Sequence, residues 1–204
     1  EAKSMLNFCY TQIPYQYFDI GVDFFNNKNY SKALINFDKS EQIATPELIL
    51  EIESYKRDIA LDMINDIESK LNKVPFSQSI INLNQTRQIS PYLWSETDKV
   101  EAKILIKKGD ILAQINNYLY AIDYYQQALE LDPSLFKEIN DRYSNLVISI
   151  INQVNNTSSF DELNLVKEYL KIIIDLKPQY YNSYYPFIIQ IDQKLKNYNK
   201  MINT

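Results

Sequence analysis

Only two glycines occur in 204 residues, Gly21 and Gly109, and the same pattern surrounds both. Small or apolar residues recur 3, 9, 12, 13, 16 and 19 places after each. After the first they are Phe24, Tyr30, Ala33, Leu34, Phe37 and Ser40; after the second, Leu112, Tyr118, Ala121, Ile122, Tyr125 and Ala128. Two unrelated helical hairpins rarely agree at so many offsets. Glycine inside a helix costs about 1 kcal/mol against alanine. A chain that keeps it only here needs the missing side chain, so that a second helix can approach closely. The spacing therefore predicts two antiparallel helices around each glycine. Ala33, Ser40, Ala121 and Ala128 are expected to face the glycines, with Tyr17, Phe24, Tyr30 and Phe37 filling wider gaps. In the first pair the leading helix is expected to open at Pro14, the chain to turn at 27–29, and the second helix to span 30–43.

These residues resemble the tetratricopeptide repeat, a helix–turn–helix unit of about 34 residues. The family pattern asks for an aromatic, leucine-glycine, tyrosine, alanine, an aromatic, alanine and proline. Tyr17, Ile20, Gly21, Phe24, Ala33, Phe37, Ser40 and Pro46 meet it in one unit; Leu105, Gly109, Leu112, Ala121, Tyr125, Ala128 and Pro133 meet it in the other. Ser40 replaces the second alanine, Pro46 falls one place late, and Lys108 departs from the leucine. The resemblance implies an all-α fold: a right-handed solenoid of antiparallel helix pairs.

The rest of the chain extends the array. Leu48, Ile52, Tyr55, Ile59, Met63, Ile67, Leu71 and Val74 sit three or four apart, one stripe of a helix. Thr45 is its expected N-cap, with Pro46 at the first helical position. The stretch from Phe76 to Ser90 aligns with that from Tyr30 to Ala44: Ser79 falls on Ala33 and Leu83 on Phe37. Further apolar stripes run through 136–154 and 163–176, the second opened by a capping box of Ser159 and Glu162. The expected organisation is an N-terminal segment 1–13 and one repeat domain 14–204, with repeats at 14–46, 47–91, 96–133 and 134–178. Residues 92–95 are a connector with Trp94 buried at a repeat junction, 155–158 form a turn, and a capping helix spans about 182–200.

Composition narrows the function classes. Histidine is absent, which removes the commonest general base and metal ligand. A lone Cys9 makes neither a disulfide nor a thiolate metal cluster. Both glycines lie inside predicted helices, leaving no phosphate-cradling loop. Neighbouring acids such as Asp58 and Asp62 read as solvated helix surface. The expectation is a non-enzymatic protein with no metal and no cofactor. A net charge of −5 argues against a nucleic-acid surface, and no apolar run reaches the ~18 residues of a membrane span. The chain begins at Glu1 rather than methionine, which leaves a removed leader or a longer parent protein open, and with it cytoplasm or export. Seventeen tyrosines beside only three arginines (Arg57, Arg87, Arg142) read as the codon bias of an AT-rich genome.

In the family, first helices line a concave groove that binds peptides. Carried over residue by residue, that groove falls on Tyr15, Phe18, Val22, Phe25 and Asn26, and on Lys103, Ile106, Lys107, Asp110 and Gln114. Members that grip chaperone C-termini use a lysine and an asparagine where Phe18 and Val22 stand, so a terminal carboxylate is not the expected ligand. The first third is apolar and aromatic, suited to an amphipathic helix or an extended apolar segment. The expected function is an interaction scaffold binding another protein or peptide. Alternatives are a structural subunit of a larger assembly or filament, through self-association or other partners, and a tetratricopeptide lipoprotein of bacterial outer-membrane assembly. An apolar stripe opposite the intra-repeat contact must be covered. The candidates are residues 1–13, the first helix of the next repeat, or a partner.

Overall fold

A computed structural model describes residues 2–156, 159–178 and 181–202, with side chains at 11–152, 159–178 and 181–201. Among these residues there is no strand. The helices are α1 (Ala2–Asn26), α2 (Tyr30–Glu41), α3 (Pro46–Lys70), α4 (Phe76–Ile89), α5 (Trp94–Gln114), α6 (Tyr118–Leu131), α7 (Phe136–Asn156), α8 (Phe160–Leu176) and α9 (Tyr181–Ile202). Pro91–Leu93 and Pro133–Leu135 form single 3₁₀ turns. Neighbours pack in pairs, α1 on α2, α3 on α4 and α7 on α8, and α9 packs on α8. The all-α reading therefore holds. The chain divides into two compact units, Glu1–Ile104 and Leu105–Thr204.

The turn that folds each glycine-bearing helix back is the same in both units. Lys28 and Asn116 take positive φ, 56° and 62°. The amide of Asn29 donates to Phe24 O at 2.9 Å and that of Lys28 to Phe25 O at 2.8 Å. In the second unit Asn117 N reaches Leu112 O at 2.9 Å and Asn116 N reaches Ala113 O at 3.0 Å. This is a Schellman closure, with a lysine and an asparagine at the left-handed position where glycine is usual. Asn29 then caps α2, its side chain accepting from Lys32 N.

Each helix pair closes on an aromatic ring at its glycine. A Cβ on Gly21 would stand 2.6 Å from Cε1 of Phe37, and one on Gly109 would stand 2.5 Å from Cε1 of Tyr125. The alanines expected to face the glycines are fully buried beside them, but the rings occupy the missing side chain's place. In the pair α3/α4 the equivalent residues are Ile67 and Leu83, both in one core cluster. By sequence offset, a glycine–aromatic pair is thus exchanged for two aliphatic residues of one cluster. Ser40, where the other unit has Ala128, donates its hydroxyl to Pro14 O at 2.7 Å in a buried site. This bond ties the end of α2 to α1, and α1 runs through Pro14 rather than opening there.

Among the described residues unit 1 holds two apolar clusters. One gathers Ala33, Phe37, Leu48, Ile52 and Ile59; the other gathers Ala60, Ile64, Ile67, Leu83, Leu93, Val100 and Ile104. Thr45 caps α3 as expected, accepting from Leu48 N. In unit 2, Ile139, Tyr143, Leu146 and Ile150 of α7 are buried, as are Leu163, Val166, Leu170 and Ile173 of α8. Ile191 and Leu195 bury one face of α9.

Two further expectations fail. Trp94 is 56% exposed rather than buried, because the turn at Pro91–Leu93 puts Leu93 inside instead. The Arg87 guanidinium lies over the indole, 5.1 Å from its centroid. Ile20, expected in the intra-repeat contact, is half exposed. Its neighbours Tyr17 and Phe24 are covered by the ammonium groups of Lys39 and Lys32 from α2. The expected turn at 155–158 lies partly outside the described residues, as do the side chains of residues 1–10 expected in the groove.

Candidate functional site

The apolar stripe of α1 is brought together, and α3 covers it. Phe18 sits 5.6 Å from the Tyr55 ring and Phe25 5.1 Å from it, both edge-on. Tyr55 also stacks on Phe37 at 5.5 Å. Val22 packs on the same cluster. Of the three candidate covers for this stripe, the first helix of the next repeat is in contact with it. Phe18, Val22 and Phe25 are half-buried, and Tyr15 and Asn26 at the margin are exposed.

The second set of groove positions divides between the units. Lys103 lies in unit 1 and is paired with Glu68 at 2.6 Å, which joins α5 to α3. Ile106 is buried in the core, and Lys107 is half-buried. Asp110 and Gln114, one turn apart on α5, line a cavity of about 390 Å³ in unit 2. Its far wall is α7, which presents Arg142, Asn145 and Ser149, and Tyr125 of α6 lies at its base.

Asp110 is the centre of this cavity. Arg142 grips it with two nitrogens, Nε to Oδ1 at 2.8 Å and Nη2 to Oδ2 at 3.1 Å, and holds Glu138 at 2.9 Å. Tyr125 donates its hydroxyl to Asp110 at 2.7 Å. The ring over Gly109 is therefore fixed from its far end as well. Burial by itself lowers the Arg142 pKa, but Asp110 and Glu138 outweigh it and raise the net value. Burial, then the Asp110 carboxylate, pushes the Tyr125 hydroxyl far up. Burial raises Tyr143 to about 12. Arg142 and the two tyrosines therefore keep their neutral-pH charge states across the physiological range. Among the described residues, no cluster of acids and cysteine could hold a metal ion.

Arg142 was not among the residues expected here. Its scarcity was the available signal: two of the three arginines are network centres. Arg87 pairs with Asp98 at 2.6 Å and Glu101 at 2.7 Å, binding α4 to α5. A planar guanidinium reaches two carboxylates at once, which a lysine ammonium does less well.

Two of the helices that build this cavity, α5 and α6, carry the second glycine pattern. Residues 102–135 match the tetratricopeptide repeat family. The matched stretch takes in most of α5, the whole of α6 and the turn at Pro133–Leu135. The tetratricopeptide resemblance read from Gly109, Ala121, Tyr125, Ala128 and Pro133 is thereby supported, and such repeats characteristically serve protein–protein interaction. Neither the curated proteins nor the solved structures contain a match to the chain. Among the described residues no helix is long and apolar enough to cross a membrane.

Proposed function

We propose that the chain is a non-enzymatic scaffold that binds another protein through the first-helix face of its tetratricopeptide pairs. The observation that carries this reading is the unit 2 cavity. Its walls come from α5 and α7, first helices of successive pairs, and Asp110 and Gln114 stand at positions where the family lines its groove. The occupant is an extended or helical segment. Its polar groups meet Asn145, Ser149 and Gln114, while its apolar side chains meet Leu146 and Ala113. On α1, Tyr15 and Asn26 remain as an edge; Phe18, Val22 and Phe25 serve packing. Lys103 is engaged with Glu68.

The test is a photo-crosslinking residue at Gln114, with the same residue at exposed Glu130 of α6 as control. Cross-links to one partner species at Gln114 and not at Glu130 are expected in extracts of the native organism. Equal labelling at both positions would refute a defined site. The reading as a subunit that assembles with its own copies draws on the exposure of Leu50, Tyr92 and Ile115. Solution mass measured against concentration separates the two, since a scaffold stays monomeric.

A further inference from the structure

A second groove lies in unit 1, where α2, α3 and α4 meet. We infer that it takes a short basic, apolar peptide segment of another protein. The inference deepens the scaffold reading, on which it rests.

The groove runs between α2 and α4, along the gap between the two apolar clusters of unit 1. Two adjoining cavities of about 550 and 350 Å³ form it, sharing Lys56, Gln88 and Ile89. Its floor is apolar. Leu34 and Met63 belong to the margin of the first cluster, and Ile89 to that of the second. The two cores thus meet at a cleft that neither fills.

The charge in this cleft is acidic. Among the described residues Asp38, Glu41 and Glu53 line it with one cation, Lys56. Lys56 is withdrawn, its side chain 14% exposed, and held by Asp38 at 2.7 Å and Glu41 at 2.8 Å. The carboxylates are more open, Asp38 at 60% and Glu41 at 36%. What solvent meets is therefore negative, and Glu53 adds a further carboxylate at the end near Tyr92. Gln85 and Gln88 stand exposed on the α4 wall, each offering an amide donor and acceptor to a passing backbone. Apolar floor, acidic end and amide wall together select an extended segment. Such a segment places aliphatic side chains on Met63 and Ile89 and a lysine or arginine between Asp38 and Glu53.

Fluorescence anisotropy of labelled octapeptides tests this with the whole chain. The probes alternate lysine with leucine, glutamate with leucine, and lysine with serine. The lysine–leucine peptide is expected to bind, at least tenfold more tightly than either other, and to weaken severalfold as salt rises, because exposed charges are screened. Glu53→Lys should weaken it at least tenfold without altering thermal stability. Asp123→Lys, an equal charge change on exposed α6 of unit 2, should leave it unchanged. Equal losses from both variants would reduce the attraction to net charge and overturn the inference. Equal binding of the lysine–serine peptide would overturn the apolar floor. Probe binding that falls away as the protein concentration rises into a range where its solution mass increases would assign the cleft to a second copy instead. The proposed contacts all lie in unit 1, so their failure is distinguishable from failure of cross-linking at Gln114 in unit 2.

Discussion

Adding one methyl group at Gly21 should destabilise the protein although it improves the helix. Alanine in place of glycine gains about 1 kcal/mol of helix propensity. Against that, the new Cβ lies 2.6 and 2.7 Å from Cε1 and Cδ1 of Phe37, inside any real contact distance. The ring has little room to yield. It is fully buried, stacked on Tyr55 at 5.5 Å and 6.0 Å from Phe18. Overpacking of this kind costs roughly 1–3 kcal/mol, and a ring held on two sides belongs near the top of that range. The net expectation for Gly21→Ala is a loss of about 2 kcal/mol. At about 2–4 °C per kcal/mol for a chain of this size, that is a fall in Tm of roughly 4–8 °C. The α3/α4 pair supplies the control, because Ile67 and Leu83 stand at the equivalent sequence offsets there. Phe37→Leu alone opens a void and destabilises. Combined with Gly21→Ala it should recover about 2 kcal/mol relative to the sum of the single changes, a coupling within the range of contacting residues. Thermal and denaturant unfolding followed by far-UV circular dichroism measures all four proteins. An unchanged or higher Tm for Gly21→Ala, or strict additivity in the double variant, would refute the ring contact as the reason for the glycine.

Three further expectations follow from the same geometry. Phe18→Ser with Phe25→Ser should unfold or strongly destabilise the chain, by roughly 2 kcal/mol or more per ring, since both rings pack on Tyr55; a folded double variant with an unchanged Tm would return that stripe to the binding surface. Lys28→Gly should raise stability by about 0.5–1 kcal/mol, relieving a left-handed lysine at φ 56°, and Asn116→Gly by less, because asparagine tolerates that region; a lower Tm for Lys28→Gly would contradict the turn. Alkali should destabilise unit 2: Tyr125 and Tyr143, 1% and 2% exposed, both have folded pKa values above the ordinary 10. Above that pH the unfolded chain loses these protons first, so each tyrosine lowers stability by about 1.4 kcal/mol per pH unit until its folded pKa is reached. The loss is absent below pH 10, and unfolding free energies measured from pH 9 to 11 should fall progressively in the wild type and less steeply in Tyr125→Phe.

The helices, their order and their pairing were legible in the residues because each signal is local. A stripe at a spacing of three and four, a threonine before Pro46 and a repeated set of offsets from two glycines need no knowledge of distant chain. So was the need for close approach at Gly21 and Gly109. What approached was not legible. Ala33, Phe37 and Ser40 share one face of α2, and only the packing decided that the Phe37 ring, rather than an alanine, meets the glycine. The candidate site divides in the same way. Asp110 and Gln114 could be placed on the groove face of α5 from sequence offset, yet Arg142 lies 32 positions from Asp110 and joins it only once α7 packs. An apolar stripe on α1 announces that something covers it, but periodicity carries no identity for the cover, and Tyr55 of α3 supplies it. Trp94 shows the limit most plainly: its size suggests burial, but the 3₁₀ turn before it turns Leu93 inward and leaves the indole under Arg87. Local periodicity sets which faces are apolar; the tertiary contacts alone decide which of them remain free.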